Sequence, residues 1–461
     1  MKNVIIVGGG TAAWTTAYQL SKSDSVNSIK IIYSGEIPII GTGEGATGSL
    51  NDIILKGDDK QFLEKTNSTV KLGILFENWQ GEGTSFRKFV DGWYYDGLRP
   101  VPWSPGKHKK DIDIMYKMLE EDADIEDYSV NAFLMKHGIH DYTEVKRHTY
   151  HFDGKNVGQF FRDRCLETNK VVEAIDTIVE VVHENGQIKN LKGKEDIYAG
   201  DYYIDCTGFA RLFDKTFKHE FESYTEWLDI DGAVPFLLPT KKQNYTVSRA
   251  MKNGWMWEVP KTDNCGSGYN FSSKHTTADE VIEEAEKWLG HKVKPIKEVR
   301  YTPGCYKKIA KNNYAYIGLS ASFIEPLEAT ALHSSIYSAD FLIKVLEGHK
   351  TIDDYNDYVY EMVQDFRDFT IMHYRYATRS DTKFWQDQKG KPIPEKLQEQ
   401  MKLFENGSLE CLYKTTHIYF MFQTALGFKF IKKPKTFNYY KDIKVPTFEA
   451  IERIKEKHNI T

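Results

Sequence analysis

The chain has 461 residues, of which 41% are hydrophobic and 28% are charged, and its formal net charge is −5. This composition is typical of a folded globular protein and excludes an intrinsically disordered chain. The slightly acidic balance gives no electrostatic basis for binding nucleic acid, because nucleic-acid-binding proteins usually present a basic surface.

No apolar run approaches the ~20 residues that a membrane-spanning helix requires. The N-terminus enters a strand-like segment at once and lacks the regions of a signal peptide. The five cysteines are scattered and form no CxxC pair. We therefore expect reduced thiols in a cytoplasmic protein, and the histidine and cysteine spacing predicts no metal site.

Taken in chain order, the hydrophobic pattern predicts a strand over residues 4–7, a helix over 12–20 and a second strand over 29–33. This β-turn-α-β order is typical of the start of a dinucleotide-binding fold. The later predicted elements are strands at 173–182, 202–205, 255–259 and 268–272, a turn at 184–186, a helix at 279–289, and a mainly helical region from 334 onward.

The turn between the first strand and helix reads Gly8-x-Gly10-x-x-Ala13. The first glycine permits a tight turn, the second lets the backbone approach a pyrophosphate, and the small third residue allows helix and strand to pack. Thr11 and Ala12, in the same turn, are also predicted to contact the cofactor. The alternative is a glycine-rich turn without a ligand.

The ribose end of the predicted cofactor site departs from the usual pattern. An acidic residue is expected at the end of the second strand, about 20 residues after the glycines. Ser34 stands there instead, followed two residues later by Glu36. Either side chain is a candidate for the ribose contact.

Three further segments resemble the flavin-dependent tryptophan halogenases. Residues 254–260 (GWMWEVP) are similar to the W-x-W-x-I-P signature, residues 70–79 (VKLGILFENW) to the segment of the catalytic lysine, and residues 323–331 (FIEPLEATA) to that of the catalytic glutamate and halide site. Supporting similarities extend the resemblance over residues 4–385, and they lie at 9–14, 150–153, 204–208, 318–320, 365–366, 373–374 and 381–385.

The resemblance implies an α/β (α+β) fold of the flavoprotein monooxygenase type. We expect a discontinuous Rossmann-like FAD-binding lobe with an inserted β-sheet over residues 1–345. A mainly helical lobe over 346–461 is expected to cap the substrate site.

The resemblance also implies site residues. Lys71 and Glu328 are the implied catalytic pair, and the backbone N–H groups of Thr330 and Ala331 are the implied halide site. An exposed lysine and a glutamate at a helix N-terminus are the alternatives for the pair. The family has serine and glycine where this chain has Ala329 and Ala331, so its halide preference is left open.

Trp255 and Trp257 are implied to form a barrier between flavin and substrate; core packing is the alternative. Trp93, in the aromatic loop over residues 91–97, is expected to flank the substrate. The loop implied to lie over the flavin, called the strap, contains an additional glycine, Gly45, which predicts that the strap is more mobile. The remaining implied cofactor contacts are Gly43, Glu44, Val172, Leu319 and Leu332.

The resemblance therefore implies an FADH2-dependent halogenase. It would make hypohalous acid from O2 and chloride, bromide or iodide, and would halogenate a phenol or indole through Lys71. We expect FADH2 from a separate NAD(P)H-dependent flavin reductase, because the sequence has no second dinucleotide motif. The alternatives are an FAD-dependent aromatic hydroxylase, a flavin-bound regulatory or RNA-associated protein, and an inactive halogenase homologue. The natural substrate and the oligomeric state, a homo-oligomer included, are left open.

Overall fold

The computed structural model describes residues 1–36, 41–57, 59–90, 109–413 and 418–460. The chain forms two compact units, each assembled from three separate segments. Unit 1 comprises Met1–Ser68, Phe152–Thr225 and Arg300–Gln364. Unit 2 comprises Thr69–His151, Glu226–Val299 and Asp365–Thr461.

The strands, in chain order, are β1 (Lys2–Val7), β2 (Val26–Tyr33), β3 (Glu44–Gly45), β4 (Thr69–Lys71), β5 (Gly73–Glu77), β6 (Ser85–Phe89), β7 (Thr149–Phe152), β8 (Val171–Ile175), β9 (Ile178–Glu184), β10 (Gln187–Gly193), β11 (Ile197–Tyr198), β12 (Tyr202–Asp205), β13 (Phe221–Ser223), β14 (Gly232–Leu238), β15 (Tyr245–Met251), β16 (Gly254–Pro260), β17 (Cys265–Phe271), β18 (Val299–Arg300), β19 (Gly304–Tyr306), β20 (Ala310–Lys311), β21 (Tyr314–Tyr316) and β22 (Ser322–Phe323).

The α-helices are α1 (Thr11–Ser21), α2 (Asp59–Thr66), α3 (Lys109–Glu121), α4 (Val130–His137), α5 (Gly154–Leu166), α6 (Asp214–Phe217), α7 (Ala278–Leu289), α8 (Thr330–Leu346), α9 (Ile352–Tyr376), α10 (Lys383–Gly390), α11 (Glu395–Glu405), α12 (Ile418–Gly427) and α13 (Pro446–His458).

Unit 1 is organised around a six-stranded sheet of order β20-β21-β12-β1-β2-β8. All neighbours from β21 to β8 are parallel. Strand β1 lies inside the sheet, and its residues 4–7 are accordingly all buried and all apolar. Helix α1 follows β1 and packs against α5 and α8. This arrangement confirms the predicted β-turn-α-β opening.

Unit 2 contains the run of strands β14-β17-β16-β15-β5-β6. The neighbours are antiparallel except β15 and β5, which are parallel. One face of β14, β16 and β17 buries Met256, Tyr269 and Phe271 in a core with Val281 and Ala285 of α7. The predicted inserted sheet is therefore present.

The α/β (α+β) class is confirmed, as is the mainly helical character after residue 334. The strand predicted over residues 173–182 is instead two strands, β8 and β9. Asp176 explains the break, because its carboxylate accepts hydrogen bonds from the backbone N–H groups of Lys194, Glu195 and Asp196. The division into a lobe over residues 1–345 and a lobe over 346–461 stays a prediction. The two compact units of the structure have different boundaries from these lobes.

Within the described residues, no helix is both long and apolar enough to cross a membrane. The five cysteines are free and buried. Burial raises the pKa of the Cys165 and Cys265 thiols to about 12, so thiolate is scarce at neutral pH.

Candidate functional site

The glycine turn between β1 and α1 leaves space above the helix N-terminus. Gly8 has φ +129°, and a Cβ there would lie 2.7 Å from the carbonyl carbon of Cys206, so only glycine fits. Gly10, the residue before α1, has φ −83°, and no atom lies within 4 Å of an ideal Cβ. The first turn of α1 carries no acidic residue. Its N–H groups therefore suit an anionic group such as a pyrophosphate.

Small residues hold the turn in place. Ala12 approaches Gly318, where a Cβ would lie 2.9 Å from the Ala12 methyl carbon. The Thr11 hydroxyl donates to the carbonyl of Gly154 over 2.8 Å, and Ala13 is fully buried. The contacts of Gly154 and Gly318 were not predicted as part of the site. A glycine at the start of a helix and a glycine after a buried strand were the available signals.

The segment Asp205-Cys206-Thr207-Gly208 forms the wall behind Gly8. The buried Asp205 carboxylate accepts hydrogen bonds from the N–H and hydroxyl of Thr207 and from the N–H of Phe213, at 2.7 to 2.8 Å. Burial raises the pKa of Asp205, and these hydrogen bonds oppose the shift. The aspartate thus fixes the chain reversal that presents Cys206 to the turn.

Glu44 lies against the first residue of α5. A Cβ at Gly154 would be 3.2 Å from the Glu44 carboxyl carbon, so the carboxylate occupies the space of a missing side chain. Its neighbour Gly43 has left-handed backbone (φ +98°), whereas the additional Gly45 does not. The predicted mobility of this strap stays a prediction.

At the ribose end, Ser34 follows β2, and its hydroxyl oxygen accepts from the hydroxyl of Thr177 over 3.2 Å. Tyr33 donates its hydroxyl to Glu173 over 2.9 Å, and burial and that carboxylate raise the Tyr33 pKa. Val172 lies on edge strand β8 and is 51% exposed. Glu173, beside β2, also accepts a hydrogen bond from Arg162 Nε over 2.8 Å, so this carboxylate is already paired with a cation.

The predicted halide residues begin α8. A 3-10 turn over Pro326–Glu328 ends at Ala329, which has left-handed backbone (φ +55°), and α8 starts at Thr330. The N–H groups of Thr330 and Ala331 therefore belong to the first turn, where they have no partner within the helix. Thr330 and Glu328 are buried. Backbone donors at a buried helix start suit a weakly hydrated anion.

The other predicted cofactor contacts in this part of unit 1 are half-buried. Leu319 lies in the 3-10 turn Gly318–Ser320, and Leu332 is the third residue of α8. The next residue, His333, was not predicted as part of the site. It is buried and hydrogen-bonded to Thr47, 286 residues earlier in the chain.

In unit 2, Lys71 is the last residue of β4 and is only 3% exposed. The alternative of an exposed lysine is therefore wrong. Strand β4 pairs with β7, placing Lys71 opposite Thr149 and Thr69 opposite His151. Burial first, and the Lys71 charge second, hold the pKa of His151 well below its usual value. The imidazole is thus a neutral neighbour of the Lys71 ammonium.

The short strand carrying Lys71 is anchored to the large sheet of unit 2. The Thr69 hydroxyl donates to the Pro260 carbonyl over 2.7 Å. His151 Nε2 lies 2.9 Å from the Thr246 hydroxyl. Both contacts reduce the conformational freedom of the strand residues around Lys71.

Trp255 and Trp257 lie two residues apart on β16, with ring centroids 6.3 Å apart. Successive strand residues point to opposite faces, so both indoles face away from the core that contains Met256. Trp255 is 2% exposed and Trp257 is half-buried. The geometry places the two rings side by side; their role as a barrier stays a prediction.

Trp93 lies outside the described residues. Within the described ranges, no group of three or more His, Cys, Asp or Glu side chains could hold a metal ion.

Comparison with known proteins finds one family model, described as tryptophan halogenase, that matches residues 3–428. A 7-chloro-L-tryptophan 6-halogenase, KtzR, from Kutzneria sp. is 27% identical over 87% of this chain and 84% of its own. The tryptophan 7-halogenase RebH from Lentzea aerocolonigenes is 28% identical over 88% of this chain and 82% of its own.

Solved structures of flavin-dependent halogenases have the same fold as this chain. Tar14, a tryptophan C-6 flavin-dependent halogenase from taromycin biosynthesis, superposes with a TM-score of 0.85 at 23% identity, covering 100% of this chain and 97% of its own. Xcc4156, a flavin-dependent halogenase from Xanthomonas campestris, has a TM-score of 0.83 at 26% identity, covering 100% and 95%.

Proposed function

Because the chain belongs to the tryptophan halogenase family, we propose that it is an FADH2-dependent halogenase acting on an electron-rich aromatic compound. Under this proposal, O2 converts a halide to hypohalous acid, which halogenates the substrate through Lys71. The observation that carries the proposal is the burial of Lys71 in an ordered strand pair. A hydroxylase with the same cofactor fold would have no need of that ammonium.

The residues of the glycine turn fit FAD. The open space at Gly10 and the N–H groups of α1 would take the pyrophosphate. Bound reduced FAD would supply two of the four electrons that reduce O2, and the halide supplies the other two. A separate NAD(P)H-dependent flavin reductase is the proposed source of FADH2.

The proposed halide site is the first turn of α8. N–H groups of Thr330 and Ala331 would hold the anion while it transfers two electrons, so that one oxygen atom ends in hypohalous acid and the other in water. The alanine at 331 leaves the backbone donor in place. Chloride, bromide and iodide are all candidate anions for such a site.

Lys71 would act on the hypohalous acid. Its ammonium would orient the oxidant by a hydrogen bond. Alternatively, after loss of a proton, the amine would take the halogen from hypohalous acid to form a haloamine, with release of water. The aromatic carbon then takes the halogen, and Glu328 is the proposed base for the proton that this carbon releases. Because His151 beside Lys71 is neutral, the Lys71 ammonium would be the one charged donor of this pair for the oxidant.

Trp255 and Trp257 are proposed to keep the organic substrate away from the flavin while the small oxidant passes. This separation explains why such an enzyme would halogenate its substrate and not hydroxylate it. The relatives KtzR and RebH are named for tryptophan substrates. For this chain we propose a phenol or an indole derivative as the acceptor, since it shares only 27–28% identity with these relatives.

The test is product formation from a panel of phenols and indoles. Purified protein is incubated with FAD, a flavin reductase, NADH and O2, with each halide in turn and catalase to remove free peroxide. Mass spectrometry should find halogenated product only when halide is present. Hydroxylated product without halide dependence would assign the hydroxylase instead.

A further inference from the structure

The segment of residues 41–49, here called the strap, is hydrogen-bonded to α8 through a buried histidine. The Thr47 hydroxyl lies 2.7 Å from Nδ1 of His333 and 2.9 Å from the Ser49 hydroxyl. The exposed fractions of Thr47, Ser49 and His333 are 8%, 3% and 4%. These three groups form a polar cluster shielded from water, where hydrogen bonds are costly to lose.

The imidazole of His333 is also fixed from its own helix. His333 follows Thr330 by three residues, so both lie on the same side of α8. Its ring packs on the ring of Tyr337, one turn later, with centroids 4.6 Å apart. The histidine therefore presents Nδ1 to the strap in one orientation.

The strap has a second anchor at its other end. Glu44 lies against Gly154 at the start of α5, next to the hydrogen bond from Thr11 to that glycine. The strap thus joins the glycine turn of α1, by way of α5, to the first turn of α8. Both ends of this connection are sites proposed above, one for the pyrophosphate of FAD and one for halide.

We propose that His333 is a positioning residue: through Thr47 it holds the strap on α8, so that the strap covers the halide-binding N–H groups when the flavin is bound. The inference rests on the proposed function for its consequence but not for the contact itself. When the strap is released, water reaches the halide site and halide binds more weakly. O2 then takes two electrons and two protons from the reduced flavin and leaves as hydrogen peroxide, so less halogenated product forms.

Two pairs of variants test the contact. Thr47→Val removes the hydroxyl at constant shape, whereas Thr47→Ser keeps it. His333→Leu removes the ring nitrogens, whereas His333→Asn retains a polar atom near the position of Nδ1. Ser338→Ala is the matched control, because Ser338 is a buried hydroxyl on the same helix that bonds to Tyr355.

The first readout is amide hydrogen exchange of residues 44–49, which needs neither turnover nor an identified substrate. We expect exchange to rise at least tenfold in Thr47→Val and in His333→Leu. The double variant should exchange no faster than Thr47→Val, because both substitutions remove the same contact between Thr47 and His333. Thr47→Ser, His333→Asn and Ser338→Ala should stay within threefold of wild type. Unchanged exchange, or additive effects in the double variant, would overturn the proposal.

The second readout is the halide KM together with the ratio of hydrogen peroxide to halogenated product. We expect a rise of at least tenfold in KM with a change of less than threefold in kcat, and more peroxide per product. If wild-type protein makes no halogenated product, the exchange result still decides the contact and the proposed function alone fails. A loss of kcat at constant KM would contradict a positioning role.

Discussion

The backbone of Gly8 packs directly against the carbonyl group of Cys206: a Cβ at position 8 would lie 2.7 Å from the carbonyl carbon. Two residues later, an ideal Cβ at Gly10 meets no atom within 4 Å. The same turn therefore has one glycine required by the fold and one whose side-chain space is open. The first two glycines of the motif can be separated experimentally on this basis.

Gly10→Ala should leave thermal stability within about 1 kcal/mol of wild type, because φ at residue 10 is −83° and the methyl group has room. It should weaken FAD binding at least tenfold, since the methyl group would occupy the space proposed for the pyrophosphate. Fluorescence titration with FAD measures this. Gly8→Ala is the comparison and should lower stability by several kcal/mol from steric overlap with Cys206. Unchanged FAD affinity in Gly10→Ala would contradict the assignment of the turn.

Glu258 is a buried carboxylate, 2.9 Å from Arg249 and 2.5 Å from Lys241. Burial raises its pKa, but the two cations outweigh burial and the net pKa is lowered. A lowered carboxyl pKa contributes stability above the unfolded value of ~4.3, and this contribution is lost as pH falls through the folded value. Glu258→Gln should lower the free energy of unfolding at pH 7 by about 1–2 kcal/mol, because it removes one charged partner of Arg249, which keeps its ion pair with Glu77 over 2.7 Å.

The same variant should also lose stability less steeply than wild type as the pH falls from 5 to about 3. Urea unfolding at several pH values measures both effects. An equal pH slope in the two proteins would mean that Glu258 titrates normally.

His151 reports on Lys71 by its own titration. Burial and the Lys71 charge both hold its pKa well below 6.5 in the folded protein. Lys71→Met should therefore raise the His151 pKa, while burial still keeps it below the usual value. NMR titration of labelled histidines follows this shift, with His151→Gln used to assign the signal. An unmoved titration would show that the lysine charge does not reach the imidazole.

Substitution of Trp255 and Trp257 in turn distinguishes a role in core packing from a role as a barrier between flavin and substrate. Trp255 is 2% exposed, so Trp255→Ala should cost about 3–5 kcal/mol by creating a cavity. Trp257 is half-buried, so Trp257→Ala should cost less than half of that. If the pair forms a barrier, Trp257→Ala should also lower halogenated product per NADH oxidised at least fivefold. Full coupling in this variant would leave packing as the role of the ring.

Much of the fold follows from local signals in the sequence. The glycine pattern after a buried apolar strand predicts the βαβ opening, and alternation on β16 predicts that Trp255 and Trp257 share a face. Both follow from one strand or one turn, where the side-chain period is fixed by backbone geometry.

Other features depend on contacts between distant residues. The hydrogen bond between Thr47 and His333 joins positions 286 apart, and a lone histidine on a helix carries no signal of its partner. Asp176 ends one strand and begins another only because the turn at 194–196 lies beside it. The assembly of each unit from three segments also depends on contacts between distant residues. The sequence does not predict it, because no change in composition marks residues 68 or 151.

Comparison of wild type with Lys71→Met and Lys71→Arg, under identical FADH2 supply and bromide with catalase present, tests whether Lys71 is required for halogenation. Both variants should bind FAD within twofold of wild type and consume O2, yet form at least 100-fold less halogenated product, because the primary ammonium is missing. Halogenated product at wild-type yield from Lys71→Met would contradict the claim that this buried lysine carries the halogenation.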